Sequence, residues 1–367
     1  MRIFDLVREY ADIGVHRTGT NTQAATAEWL ADQLRSRGGT VTLEPVAFER
    51  FVADWSVSVD GVDIEALPLF YEATGSARSS DPVRWPAFSP AGAGPLGVTG
   101  APDAVDARPG DVVVAATQNL LGFLSASNRV PGPGSGVHVL QVAGRHGGAL
   151  AEGAAVRAHV DARIEAATCP NVLATFGDVE SAERLTILTT PISGWFRCAG
   201  ERGTGVAVAL AMAARLADAV PLVFLGATGH ELGAFGAAEL HSVWGDRAHT
   251  LLHVGANVGC DWPADDAIAA PDHSHMAARL AADASTLDGV ADAFDAVGVR
   301  VDTPARDRSN WFGEAADWLG APQLLSFIGQ NPWFHAPGDL PDVSCTAART
   351  EAVADAFTEA ALRLIRS

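Results

Sequence analysis

From Leu185 onward, strand-like and helix-like segments alternate to the end of the chain, and this constrains the fold more than any other feature. LTILTT, PLVFLGA, TLLHVGANV and APQLLSFI are short apolar runs of the kind buried on both faces of a sheet. Between them lie GTGVAVALAMAARLADA, GAFGAAELHSVW, a helical pattern near Leu287 to Val297, and a closing helix TAARTEAVADAFTEAALRLIRS. Such alternation specifies an α/β fold with a mixed, mostly parallel sheet sandwiched by helices. Ligands bind beyond the carboxyl ends of strands in such sheets, so the polar residues there are the first functional candidates.

The front of the chain has a different texture. TQAATAEWLADQLRSRGG spaces Ala, Trp and Leu for a helix and stops at paired glycines, after which VTLEPVAFERF alternates as a strand. Short β-like runs such as GDVVVAA and GVHVLQV follow, punctuated by PAGAGPLG and PGPGSG. This predicts a small β-rich insert over 51–165 within a body formed by 1–50 and 166–367.

Composition removes several functions. At 367 residues, 48% hydrophobic and 19% charged, the chain is long enough and apolar enough to bury a sizeable core. It carries 44 acidic residues against 25 cations, every one an Arg, for a formal charge of -19, which argues against nucleic-acid binding. The most apolar stretch, Gly205 to Ala227, is broken by Arg215, Asp218 and Pro221, so no membrane span is expected. Four scattered cysteines form no C-x-x-C pair, and Asp5 and Glu9 interrupt what a secretory signal would need to keep apolar. A reducing, cytoplasmic setting is the expectation.

Four strand ends deliver the candidates: His230 and Glu231 after PLVFLGA, Asn257 after TLLHVGA, His335 and Asp339 after APQLLSFI, and Ser193, Trp195 and Glu201 after LTILTT. A cleft at that edge is the default site. His230-Glu231 is not a zincin motif, because Ala234 stands where the second His would be. Ser193 and Cys198 lie in no nucleophile elbow. Trp195, Trp311, Trp333 and Phe334 rim the cleft or pack in the core, and of His253 and Asn257 at most one need face it. His273 and His275, in the polar loop PDHSHM, read as solvated, and neither GAGPLG nor GTGVA carries a phosphate-binding signature.

Five segments, HRTGTNTQAATAEWLADQLRSRGGTVTLEPVAF, CPNVLATF, ERGTG, TGHELGAFGA and WFHAPGD, resemble in order and spacing the zinc-dependent aminopeptidase family. That family includes di-zinc bacterial aminopeptidases, glutaminyl cyclases and members with a protease-associated β insert. The resemblance implies two zinc sites, and the sequence departs from it at one. Pro191 and Ser193 stand at the His-x-Asp of the first site, and Ala256, beside Asn257, stands at its other carboxylate. The ligands implied for the second zinc match Glu201, Glu231 and His335, giving one zinc per chain with an open fourth position. His230 occupies the place of the general-base Glu and would handle the proton, while Ser193, Trp195, Arg202, His253, Asn257, Trp333 and Asp339 would line or support the pocket. The implied function is a metal-dependent hydrolase of a small peptide or amide. The alternatives are a catalytically degenerate homologue that binds a peptide or protein partner, and a glutaminyl-cyclase-like acyl transfer.

Overall fold

The computed structural model describes residues 2–88, 106–262, 276–311 and 313–367. His273 and His275 lie outside them. Fourteen strands and seven α-helices are described, and ten of the strands form one sheet. Its centre is parallel: β10 (Leu222–Ala227) pairs β9 (Leu185–Pro191), β9 pairs β11 (Ala248–Val254), and β11 pairs β14 (Gln323–Gly329). β12 (Met276–Ala281) joins antiparallel to β14 and carries β13 (Arg300–Asp302) at the edge.

Successive residues of the central strands bury on opposite faces, which is why these strands read as unbroken apolar runs. Leu188, Leu252 and Leu325 pack in one core, with α1 (Ile3–Ile13), α2 (Asn21–Arg35), α4 (Thr204–Leu216), α6 (Ala284–Asp295) and α7 (Ala347–Arg366). Their neighbours Ile187, Leu251 and Leu324 pack in another, with α5 (Phe235–Trp244) and the short turn Gly313–Asp317. Phe327 of β14 meets Phe294 of α6 and Phe357 of α7, with ring centroids 5.4 and 5.6 Å away. No helix among the described residues is long and apolar enough to cross a membrane.

On the other side of β10 the sheet continues into a long antiparallel ribbon. β8 (Val156–Phe176) and β1 (Thr40–Val59) pair continuously from Thr40↔Thr175 to Val59↔Val156. β2 (Val62–Ile64) adds to β1 and β4 (Gly75–Ser79) to β8. The borders expected at 51 and 165 therefore fall inside β1 and β8, because the ladder of backbone hydrogen bonds runs on where the sequence changes texture. A second, four-stranded sheet of β3 (Ala66–Pro68), β7 (His138–Val142), β6 (Val112–Thr117) and β5 (Val83–Phe88) is backed by α3 (Gly147–Ala151). One side of it shares a core with the ribbon that also takes in Trp195 and Leu232 from the body, so the β-rich unit packs directly on the site loops.

Truncating Phe327 to Ala opens a cavity beside the two remaining rings, Phe294 and Phe357. A loss of about 3–5 kcal/mol in unfolding free energy is expected from urea titration.

Candidate functional site

The site forms where β9, β10, β11 and β14 end. Beyond β9 the chain runs through Ser193 and Trp195 to a π-helical turn, Ala199–Gly203, that leads into α4. Asp339, in the loop after β14, holds this turn: its carboxylate accepts from Gly200 N–H at 2.8 Å, from Glu201 N–H at 2.9 Å and from the Ser344 hydroxyl. Gly200 is required there, since a Cβ would lie 2.7 Å from Asp339 Oδ1. Burial raises the Asp339 carboxyl to about 6 against these donors. Asp339 thus anchors the Glu201 backbone. His335 is oriented by the β-rich unit instead, its Nδ1 2.9 Å from Ala126 O.

Besides Asp339, three glutamate carboxylates are buried at this edge. Glu201 is fully enclosed, with Oε1 2.9 Å from Arg202 Nη2 and 3.3 Å from His335 Nε2. Burial pushes its carboxyl up, but His335 and Arg202 reverse this and bring it to about 2. Arg202, only 1% exposed, donates from Nε to Ser193 O at 2.8 Å. Glu231 is engaged at both oxygens: Oε1 accepts from Thr18 N–H at 3.0 Å and Thr18 Oγ–H at 2.5 Å, and Oε2 from Ser193 Oγ–H at 2.8 Å. Ser193 Oγ in turn accepts from Gly229 N–H at 2.9 Å, a glycine at φ +74 that lets the chain turn sharply out of β10.

The third carboxylate is Glu314. Its Oε1 lies 2.6 Å from His230 Nδ1, and its Oε2 3.7 Å from His253 Nε2. Burial would raise it, yet His230, then His253 and Arg202, hold it well below the usual carboxylate range. His253 shares a 2.8 Å hydrogen bond with Thr189, and burial lowers its imidazole to about 4, so it is neutral at pH 7. His230 is the partly exposed member of this group, with one fifth of its side chain accessible.

The other expected residues are structural. Asn257 receives the Asn331 amide at 2.6 Å, donates to Gly329 O at 3.1 Å, and its own N–H bonds Glu201 O at 3.2 Å. Trp195 donates to Asn128 at 2.8 Å and packs at a tilt against Phe70 in the shared core. Trp311 is buried in the core of the opposite sheet face, and Trp333 and Phe334 are half-buried beside His335. The structure adds Thr18 and Glu314, which sequence reading passed over. Thr18 lies in HRTGT, where nothing in the spacing marked it. Glu314 sits in a short turn between strands, and the acids of WFGEAADW match no motif.

Do these residues fit the zinc implied by the resemblance? With Arg202 against Glu201, the ligand atoms of Glu201, Glu231 and His335 are not gathered within 4.8 Å of one another, although both Glu201 oxygens and His335 Nε2 are buried without an aligned partner. Among the described residues the group of three with ligand atoms within 4.8 Å is Cys198, Glu201 and Asp339. There burial keeps the Cys198 thiol protonated by raising it far above its usual range, and Asp339 is already bound to the turn. A cation on Glu201 would also meet Arg202, and unit like charges about 4 Å apart repel by roughly 4 kcal/mol at an effective dielectric near 20. As arranged, the residues do not fit the ion.

No family model and no curated protein sequence matches the chain. Its fold, however, is shared with solved structures over nearly its whole length. A zinc aminopeptidase from Bacillus subtilis superposes with a TM-score of 0.70 at 16% identity, covering 98% of this chain and 93% of that one. A peptidase M28 precursor from Shewanella amazonensis gives 0.69 at 14%, covering 99% and 92%. An aminopeptidase from an Aneurinibacillus strain gives 0.61 at 17%, covering 99% and 93%. The chain has the aminopeptidase-like α/β fold.

Acid should destabilise the protein from about pH 6.5 downward. His253, lowered to about 4, and His16, lowered to about 3 by burial, stay neutral in the folded chain where the unfolded chain is protonated. By pH 4 each costs on the order of 3 kcal/mol, Asp339 offsets one of them, and the low carboxyl of Glu201 adds to the loss below about pH 4.5. Urea midpoints measured across pH 7 to 4 should fall, and more gently in His253→Asn.

Proposed function

We propose that the chain is a hydrolase of a small peptide or amide substrate in which His230 moves the proton. The observation that carries this reading is the 2.6 Å contact between His230 Nδ1 and Glu314. A carboxylate in that position holds Nδ1–H and leaves Nε2 free to accept a proton from water, then to return it to the leaving amine. His230 reaches the surface while Glu314 is buried, as expected of a base and the group that orients it. The aminopeptidase-like fold supports an amide as the bond attacked. It does not carry a metal to this chain, because the Arg202 guanidinium already lies against Glu201.

One observation favours a second reading, a homologue that binds a peptide without cleaving it. Glu231 accepts three hydrogen bonds from Thr18 and Ser193, and Glu201 is paired with Arg202, so both acids are engaged by the protein itself.

Turnover of a panel of aminoacyl and dipeptidyl p-nitroanilides, with glutaminyl peptides added to detect cyclisation, separates the two. Hydrolysis by the wild type should fall about 10²–10⁴-fold in kcat in His230→Ala and in Glu314→Gln, with KM little changed. Undiminished turnover in His230→Ala would remove the histidine from the chemistry. Peptide binding without turnover by the wild type would establish the second reading.

A further inference from the structure

We infer that the Arg202 guanidinium stands, as a permanent charge, where this fold would otherwise place a divalent ion beside Glu201, so that the site works without bound zinc. The placement follows from sequence adjacency and the π-helical turn. Arg202 directly follows Glu201, and Asp339 pins the turn so that both side chains point into the same buried space. Arg202 is fixed at both ends, its backbone N–H on Cys198 O at 2.9 Å and its Nε on Ser193 O at 2.8 Å. Its Nη2 then lies 2.9 Å from Glu201 Oε1.

Charge around it is consistent with this role. A guanidinium cannot shed its proton, so burying it requires anions nearby. Glu201 is the main one, followed by Glu314, and together they more than restore the charged form that burial opposes. Both Glu201 carboxylate oxygens and His335 Nε2 are buried without a well-aligned hydrogen-bond partner, so the Arg202 guanidinium is the cation that stands against them. Glu231 has neutral donors at both oxygens, and His335, fixed by Ala126, directs Nε2 at Glu201 from 3.3 Å.

Neither terminal nitrogen of Arg202 has a well-aligned acceptor, although both are buried. These are donors of the type that polarise an amide carbonyl or hold the oxyanion formed from it. This assignment of the donors rests on the hydrolase reading. The exclusion of zinc does not.

Equilibrium dialysis of the EDTA-treated wild type against zinc chloride, with metal analysis, tests the exclusion without measuring activity. Less than a tenth of an equivalent is expected at 10-fold excess over micromolar protein, whereas Arg202→Met should take up about one zinc per chain and lose it again in Arg202→Met with His335→Ala. One equivalent held tightly by the wild type and lost in His335→Ala overturns the inference, as does a folded Arg202→Met that takes up none. If Arg202→Met does not fold, Arg202→Gln replaces it, and the wild-type measurement decides alone if neither folds. Should peptidase activity exist, EDTA is expected to leave it within twofold. Absence of all activity would refute the hydrolase reading and leave the dialysis result standing.

Discussion

A carboxylate enclosed by protein must be matched by charge or by donors, and the architecture of this site follows from how three are matched. Glu201 takes a guanidinium and an imidazole, Glu231 takes two hydroxyls and an amide, and Glu314 lies between two imidazoles. Each solution draws on a different part of the chain. Thr18 comes from the loop before α2, Ser193 and Arg202 from the segment after β9, and Glu314 from the turn before β14. The four parallel strands bring these loops to one edge, and matching the acids then fixes the loops to one another.

That fixation is costly to the backbone. Cys198, Asn257 and His335 all adopt left-handed conformations, at φ 48, 61 and 58. Non-glycine residues held this way cost of order 1–3 kcal/mol each and persist where surrounding contacts over-determine them. Here those contacts are visible. Asn257 is bonded on every polar atom of its side chain, and His335 is clamped by reciprocal bonds with Ala126, through its ring and its carbonyl. The β-rich unit is therefore part of the site. Ala126 orients His335, the Arg129 N–H bonds Glu231 O, and Asn128 receives the Trp195 indole.

The solved structures of similar fold include a zinc aminopeptidase, and this chain shares that scaffold. A proline ends β9 and a serine follows it, alanine and asparagine follow β11, and a histidine precedes Glu231. Ser193 bonds Glu231, Asn257 bonds neighbouring loops, and His230 pairs with Glu314. Each of these residues is integrated into a hydrogen-bonded arrangement of its own.

The α/β class, the strand and helix order and the strand ends that carry polar residues were legible in the sequence, because periodicity and apolar runs are local properties of the chain. Ser193, Glu201, His230, Glu231 and His335 could be named from their position after strands for the same reason. What each side chain touches was settled by tertiary structure. Glu314 is 84 residues from His230, and Thr18 is 213 from Glu231. Asp339, placed among the residues that line or support the pocket, holds the Glu201 turn, and Arg202, placed in the same group, lies directly against Glu201. Spacing along the chain determines which face or edge a residue reaches. Which acid meets which cation depends on how segments far apart in sequence fold over one another, and no local pattern records it.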